Sequence, residues 1–484
     1  MNLIHEFRKR VDVARALAIS FALTPHDHWS RARIEARQQA MLTRLVRHAA
    51  AHSPFYRELY GGIDISGKVA LHDLPPIDKP MVMANFDRLV TDRRLTLATV
   101  ETHLRGLRRE GYLFGRYRAL ATAGSSGYRG IFVFSRKEWS VELANALRWH
   151  RYMGITPRLF PRVKISAIGA DSPMHVSACL TGSGDVGLFR FQILAAISPL
   201  AELVAALNAF QPDVLLSYPS VASLLALEQL SGRLRIAPTR ISTHSELLSA
   251  EMASRIERAW GCKPFNHYGL SELSTVAVEC DRHRGLHLLD DMFILEVVED
   301  RFRPVPPGRL GQRLLLTNLY NYTQPLIRYD VSDMLEISAE SCTCGRGFPL
   351  VAAIGGRAEE VVEFPGERGG RVAVPTVVFA SIIEDFSEIA EFQICHEDGE
   401  LLVRAVFASP REGLEKELEA RLAARLRQMG AVPPPVRIER AAALERGSAG
   451  MGKLKIVATE AVLRAAAGAT IVLPGERPEG AVHA

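Results

Sequence analysis

The sequence predicts an α/β protein with a large N-terminal α/β domain containing parallel sheets, a β-rich subdomain and a small C-terminal α+β domain. Three observations carry that expectation. Helix-like and strand-like segments alternate to about residue 275, as in 199–210, 213–217 and 219–232, which is the pattern of a parallel sheet with crossover helices. From 285 to 340 the segments shorten into strands and turns, as in Gly311-Gln312-Arg313-Leu314-Leu315-Leu316-Thr317. After Gly355-Gly356-Arg357 the character changes again, to two strands joined at Asp398-Gly399, an amphipathic helix over 411–429 and a strand near 435–439. A chain of 484 residues is also too long for one core.

Taken in order, Arg8-Lys9-Arg10 precedes an apolar stretch that Asp12 and Arg15 interrupt, and no A-x-A cleavage site follows. Residues 1–35 therefore read as an N-terminal extension containing an amphipathic helix, docked on the body or on a partner. Residues 30–60 read as a helix with Leu42, Leu45, Val46 and Ala49 on one face, stopping at Ser53-Pro54. Pro75-Pro76-Ile77-Asp78-Lys79-Pro80 is a turn-rich entry into a short helix. Residues 117–135 read as strand, loop, strand around Thr122-Ala123-Gly124-Ser125-Ser126-Gly127, and 136–154 as a helix. The large domain is expected over 36–356, the small one over 357–470, and a flexible tail over 471–484.

Composition excludes several classes. Hydrophobic residues at 48% and charged residues at 23% are ordinary for a globular protein. A net charge of +5 without a dense Lys/Arg block argues against nucleic-acid binding. No apolar run is long enough to span a bilayer. Six cysteines in so long a chain do not make a disulfide scaffold, and with no export signal they favour a reducing, cytoplasmic setting. Gly269-Leu270-Ser271-Glu272-Leu273 lacks the final glycine of a nucleophile elbow, and no H-E-x-x-H occurs.

The richest stretch is Asn266-His267-Tyr268-Gly269-Leu270-Ser271-Glu272. It supplies an amide, a ring, a glycine, a hydroxyl and a carboxylate, the mixture a Mg²⁺-bound nucleotide needs. The loop at 122–130 is rich in glycine and hydroxyls, as phosphate-binding loops are, but lacks the Lys-Ser/Thr of a P-loop. Gly182-Ser183-Gly184-Asp185-Val186-Gly187 is formally G-x-G-x-x-G, yet a strand-like run follows it, so a loop near a substrate pocket is the expectation. Gly450-Met451-Gly452-Lys453-Leu454-Lys455 places lysines on a flexible loop in an arginine-dominated chain. Cys280, His287, Cys342 and Cys344 supply four zinc ligands, with His283 competing for the place of His287 and unrelated thiols as the plain alternative.

In order and spacing these segments resemble the adenylate-forming acyl- and aryl-CoA synthetase superfamily, and within it the phenylacetate–CoA ligase branch. Ser53-Pro54-Phe55-Tyr56-Arg57-Glu58, Tyr268 to Glu272, Gly285-Leu286-His287 with Asp290-Asp291, and Cys342-Thr343-Cys344-Gly345-Arg346 favour that branch. The resemblance implies ATP-dependent activation of a carboxylic acid, expected to be aromatic, to an acyl-adenylate, followed by transfer to coenzyme A. It implies that Gly124, Ser125, Ser126 and Gly127 hold the ATP phosphates, and that Ser245, Glu246 and Leu247 line the adenine pocket. Asn266 would contact the adenine edge, Tyr268 would stack on the ring beside Gly269, and Glu272 would ligate Mg²⁺. Asp333 would take the ribose hydroxyls, helped by Arg357 at the pivot of a mobile small domain. Lys453 would stabilise adenylate formation, with Lys455 as the fallback.

The acid pocket is expected from 166–184 and 242–246, with His175 and His244 either touching substrate or serving structure. Ala123 and Tyr128-Arg129 depart from the usual Ser-Gly-Thr-Thr-Gly loop, which keeps a non-catalytic binding subunit in view. A carrier-protein thiol, an amine or an alcohol could replace coenzyme A as acceptor, and a homodimer is compatible with the sequence.

Overall fold

The computed structural model describes residues 3–442 and 444, apart from 123–129, 159, 171, 197, 300, 332, 358–360, 368, 376–378, 380, 381, 384, 385, 387, 398, 408 and 410. The chain opens with helix α1 (Leu3–Leu23), followed by a 3₁₀ turn at Thr24–His28 and the long α2 (Arg31–His52). α2 stops where expected: Pro54 cannot continue its hydrogen bonding, and Ser53 instead caps α3 (Pro54–Leu59) by accepting from the Tyr56 N–H at 3.3 Å. The expected division at 35/36 falls inside α2, because its apolar face (Ile34, Met41, Leu42, Leu45) is buried continuously across that point. Short helices α4 (Lys79–Ala84), α5 (Phe86–Leu89) and α6 (Leu97–Gly106) lead to a hairpin of β1 (Tyr117–Ala121) and β2 (Ile131–Ser135). Helix α7 (Arg136–Tyr152) follows, with Ser135 and Glu138 forming a capping box.

The centre is a nine-stranded mixed sheet. Its parallel half contains β3 (Lys164–Gly169), β4 (Arg190–Ala195), β5 (Val214–Ser217), β6 (Arg240–His244) and β7 (Phe265–Tyr268), in the spatial order β4-β3-β5-β6-β7. The crossovers are α8 (Val176–Gly184), α9 (Leu200–Phe210), α10 (Pro219–Leu230) and α11 (Ala250–Trp260). Gly182, Ser183 and Gly184 are therefore the last residues of a helix, not of a loop as expected. Asp185, Val186 and Gly187 do form a loop, the strand β4 follows it, and Ser183 accepts from the Trp139 indole at 3.1 Å.

Beyond β7 the sheet turns antiparallel, through β8 (Ala277–Glu279) and β9 (Leu286–Leu288). The β-rich subdomain contributes β10 (Phe293–Val298), β11 (Arg313–Asn318) and β12 (Tyr329–Asp330) as a separate antiparallel sheet. β13 (Asp333–Ile337) and β14 (Leu350–Arg357) then return to the far edge of the central sheet. The expected boundary at 356/357 thus falls on the last residues of β14.

The rest of the described chain forms a hairpin of β15 (Val361–Pro365) and β16 (Arg371–Pro375), then a three-stranded sheet of β17 (Ile389–Glu397), β18 (Glu400–Phe407) and β19 (Val436–Arg440). Helix α12 (Leu414–Gln428) covers that sheet. Leu414, Leu418, Leu422 and Leu426 recur at helical spacing and join a hydrophobic cluster drawn from residue 362 onward. Among the described residues no helix is long and apolar enough to cross a membrane.

Candidate active site

Ligands of open α/β sheets gather beyond the carboxyl ends of parallel strands. Two predicted stretches sit there: Ser245-Glu246-Leu247 directly follows β6, and Gly269–Glu272 directly follows β7. Ser245 has φ 69°, a left-handed value that costs a non-glycine residue energy, and its hydroxyl lies 3.0 Å from His244 Nδ1. Glu246 accepts from the Ser220 N–H at 3.1 Å, so its carboxylate caps the N-terminus of α10.

Gly269 has to be glycine, because a Cβ there would stand 2.1 Å from the Ser274 carbonyl oxygen. That close approach folds 270–275 back under β7, where Leu270 N–H donates to Leu273 and Val276 N–H to Tyr268. The turn is also held from beneath by Glu142 of α7, a fully buried carboxylate that accepts from the Ser274 backbone at 3.0 Å, the Ser274 hydroxyl and the Tyr320 hydroxyl. Burial pushes the Glu142 carboxyl above its ordinary range, and these donors pull it back.

The Tyr268 hydroxyl donates to Asp333 Oδ2 at 2.5 Å. Asp333 in turn pairs across strands with Arg357 on β14. Three predicted nucleotide contacts, separated by 65 and 24 positions, are therefore brought to one place by the β7 turn and the β13–β14 pairing. Glu272 is buried, its backbone carbonyl accepts from Asn318 at 3.2 Å, and its carboxylate lies beside Tyr329. Burial first, then Glu272, pushes the Tyr329 phenol well above its usual value. Asn266 is half-buried, with its side-chain oxygen accepting from the His267 N–H at 2.9 Å. The predicted phosphate-loop residues Gly124, Ser125, Ser126 and Gly127 lie outside the described residues, as do Lys453 and Lys455. The neck of that loop is closed by Thr122, whose hydroxyl accepts from the Gly130 N–H at 2.8 Å.

An apolar cavity of about 110 Å³ adjoins the turn. Ser245, Gly269 and Ser274 line it, with Trp149, Phe189, Phe191 and Leu180. The expected segments 166–184 and 242–246 do contribute, through Ala167, Val176, Ser177, Gly184 and His244. His175 does not belong to the lining: it heads α8 and its Nδ1 lies 3.1 Å from the Ala121 carbonyl, joining α8 to the end of β1. Sequence reasoning missed His150 and gave His267 no role; His150 is half-buried and His267 buried, both against Trp149, with the His267 ring stacked on the indole at 4.2 Å. It also missed Glu138, Asn321 and Gln324. Glu138 accepts from the Tyr322 and Thr323 N–H groups, while Asn321 and Gln324 bond the backbone of β2. The Ser135-x-x-Glu138 spacing was a usable signal for the first.

A second cluster lies where β8, β9 and the 342–345 loop meet. The ligand atoms of Cys280, His287, Cys342 and Cys344 are all within 4.8 Å of one another. Cys280 Sγ is 3.8 Å from Cys342 Sγ, and His287 Nε2 is 3.4 Å from both Cys280 Sγ and Cys344 Sγ. A zinc tetrahedron with Zn–S bonds of about 2.3 Å has S–S edges of about 3.8 Å. His283 is turned elsewhere, 3.4 Å from Glu279 and packed on Phe265.

No protein-family model matches the chain. It is 27% identical over 383 residues to the phenylacetate–coenzyme A ligase of Thermus thermophilus, covering 75% of this chain and 78% of that one. It is 23% identical over 300 residues to protein CapK of Staphylococcus aureus, covering 60% of each. Its fold is that of 2-hydroxyisobutyryl-CoA ligase in the postadenylation state, with a TM-score of 0.72 over 92% of this chain and 93% of the other at 20% identity.

Proposed function

We propose that this chain, a homologue of phenylacetate–coenzyme A ligase with the fold of an adenylate-forming CoA ligase, activates a carboxylic acid with ATP and passes it to coenzyme A. One observation carries the reading. The turn after β7 borders an apolar cavity through Gly269 while Tyr268, its neighbour, holds Asp333. A single turn thus addresses an apolar acid and a ribose at once.

In the first step a carboxylate oxygen attacks the α-phosphorus of ATP. The new P–O bond forms as the bond to the bridging oxygen breaks, and pyrophosphate leaves. In the second step a thiol adds to the adenylate carbonyl, its proton is lost to solvent, and AMP departs. Asp333, fixed by Tyr268, accepts from the ribose diol, and Arg357 on the paired strand supports it. Asn266 reads the adenine edge. Ser125 and Ser126 donate to phosphate oxygens. Lys453 brings its ammonium to the α-phosphate, where charge develops between two anions. Glu272 suits Mg²⁺, a hard cation that takes carboxylate oxygens and, when bound, offsets phosphate charge. The apolar cavity keeps water from the activated carbonyl.

Residues from 357 onward act as a lid that presents Lys453 for the first step and withdraws it for the second. Product analysis tests the whole reading. With acid, ATP and coenzyme A the chain should release AMP and form the acyl thioester; without a thiol it should retain acyl-AMP, detected by mass spectrometry. Release of ADP, or thioester formation without AMP, would rule the reading out.

Cys280, His287, Cys342 and Cys344 hold a structural zinc ion in this reading. Three thiolates and an imidazole are the soft, closed donor set that zinc takes in structural sites. The near-tetrahedral edges around Cys280 and His287 support it.

A further inference from the structure

The N-terminal helix is not a detached appendage. Asp12, 1% exposed, accepts from Arg136 Nε at 3.1 Å and from the Tyr112 hydroxyl at 2.6 Å. Lys9 Nζ lies 3.0 Å from Glu110, and Arg15 donates to the Ser140 hydroxyl at 3.3 Å. Breaking one partner of such a buried pair leaves an uncompensated charge, so the docked helix is a fixed surface. Between these polar anchors the inward face is small and apolar. Val13 and Ala16 are 6% and 0% exposed, and both line the cavity described above, beside Leu143 and Leu147 of α7 and Leu180 of α8. The same cavity is bounded by His244, Ser245 and Gly269 at the ends of β6 and β7.

We infer that α1 is a wall of the acyl pocket and that Val13 and Ala16 set the size of the acid it admits. The inference rests on the acid-activation reading above and adds to it a specificity element outside the sheet domain. A cavity of about 110 Å³ is smaller than the roughly 150 Å³ apolar cavity that takes benzene. With the wall in place the pocket has room for at most one ring or a short branched chain, and a larger acid requires a smaller residue on α1.

The test compares kcat/KM across a series of phenyl-, para-alkylphenyl- and short branched acids for the wild type, Ala16→Leu and Val13→Ala. Ala16→Leu puts an isobutyl group against the cavity. It should lower kcat/KM for the ring acids about 10- to 100-fold or more relative to the smallest acid the wild type uses, since a misfit of one methylene already gives a change of that order and the substitution adds three carbons. Val13→Ala should move the optimum the other way, raising kcat/KM about threefold or more for the acid one methylene longer. Phe21→Ser, on the outer face of α1 at 83% exposure, is the control and should leave the ratios unchanged. Urea midpoints identify any variant that merely unfolds, and Val13→Ala, the milder change, carries the test if Ala16→Leu does.

An active wild type whose acid profile is the same in both inner-face variants overturns the role of α1 and leaves the activation reading standing. So does a profile that Phe21→Ser shifts equally. A wild type that converts no acid in the series removes the activation reading, and the inference with it.

Discussion

At the scale of single residues, the site depends on buried polar groups that stay in one protonation state. Burial pushes His150 down to about 4 and, with His244 and His150 adding repulsion, His267 down to about 3, from an ordinary 6.5. Both imidazoles are neutral in the folded protein near pH 7. Their contribution to stability is therefore present above about pH 6.5 and is lost as pH falls through about 4, because the unfolded chain takes the proton first. Each unit of depression is worth about 1.4 kcal/mol. His150→Phe should flatten the loss of stability between pH 6.5 and 4, measured by urea unfolding, and an acid limb as steep as wild type would show that His150 is not its source.

Tyr268→Phe removes the hydroxyl that holds Asp333 and should weaken ATP binding about tenfold by calorimetry, with little change in melting temperature. Unaltered affinity would detach Asp333 from the nucleotide. The closeness of Tyr268 to Asp333 and the gathering of Cys280, His287, Cys342 and Cys344 could be anticipated because the chemistry of these residues is unusual for where they stand in the chain. Glu142 was not: a carboxylate on an amphipathic helix reads as solvated until its partner, Ser274, is seen 132 positions away.

At the scale of elements, the 342–347 loop ties the N-terminal segment to the sheet. Gly347 N–H donates to the Asp27 carbonyl at 2.7 Å, His28 Nδ1 lies 3.1 Å from the Gly345 carbonyl, and a Cβ on Gly347 would meet the Trp29 oxygen at 2.4 Å. A zinc ion at Cys280, His287, Cys342 and Cys344 would close a loop of 62 positions between the first and third ligands, worth about 4 kcal/mol on a loop-entropy scale. The purified chain should carry about one zinc per molecule, and Cys342→Ser should lose it and unfold at lower urea. A metal-free wild type as stable as a zinc-loaded one would leave the cluster as core thiols. The parallel strands and their helices could be read from alternation. The pairing of β14 with β9 and β13 could not, since nothing local in Leu350–Arg357 says which strands flank it. Gly182 and Gly184 misled for a related reason, although Gly187 does lie in a loop: packing of α8 outweighs their local cost in a helix.

At the scale of the whole molecule, the proposed reaction draws on two parts of the chain. The proposed nucleotide and acid contacts that the structure describes lie in the sheet domain, whereas Lys453 belongs to the C-terminal part. Lys453→Ala should therefore cripple adenylate formation, by about 100-fold or more if it stabilises the transition state electrostatically, yet spare thioester formation from a supplied acyl-adenylate. Equal loss of both half-reactions, followed by rapid quench, would contradict a lysine that serves only the first. The α/β character of the chain was legible from the alternation of its segments, and so was an amphipathic N-terminal helix docked on the body or on a partner; which of the two it meets was not, because an amphipathic helix does not name its partner. The claim on which the rest depends is that this chain forms an acyl-adenylate. Isotope exchange between pyrophosphate and ATP measures that step alone. The account predicts exchange that requires a carboxylic acid, needs no coenzyme A and is abolished by Lys453→Ala; ATP binding without acid-dependent exchange, across aryl and aliphatic acids, would contradict it.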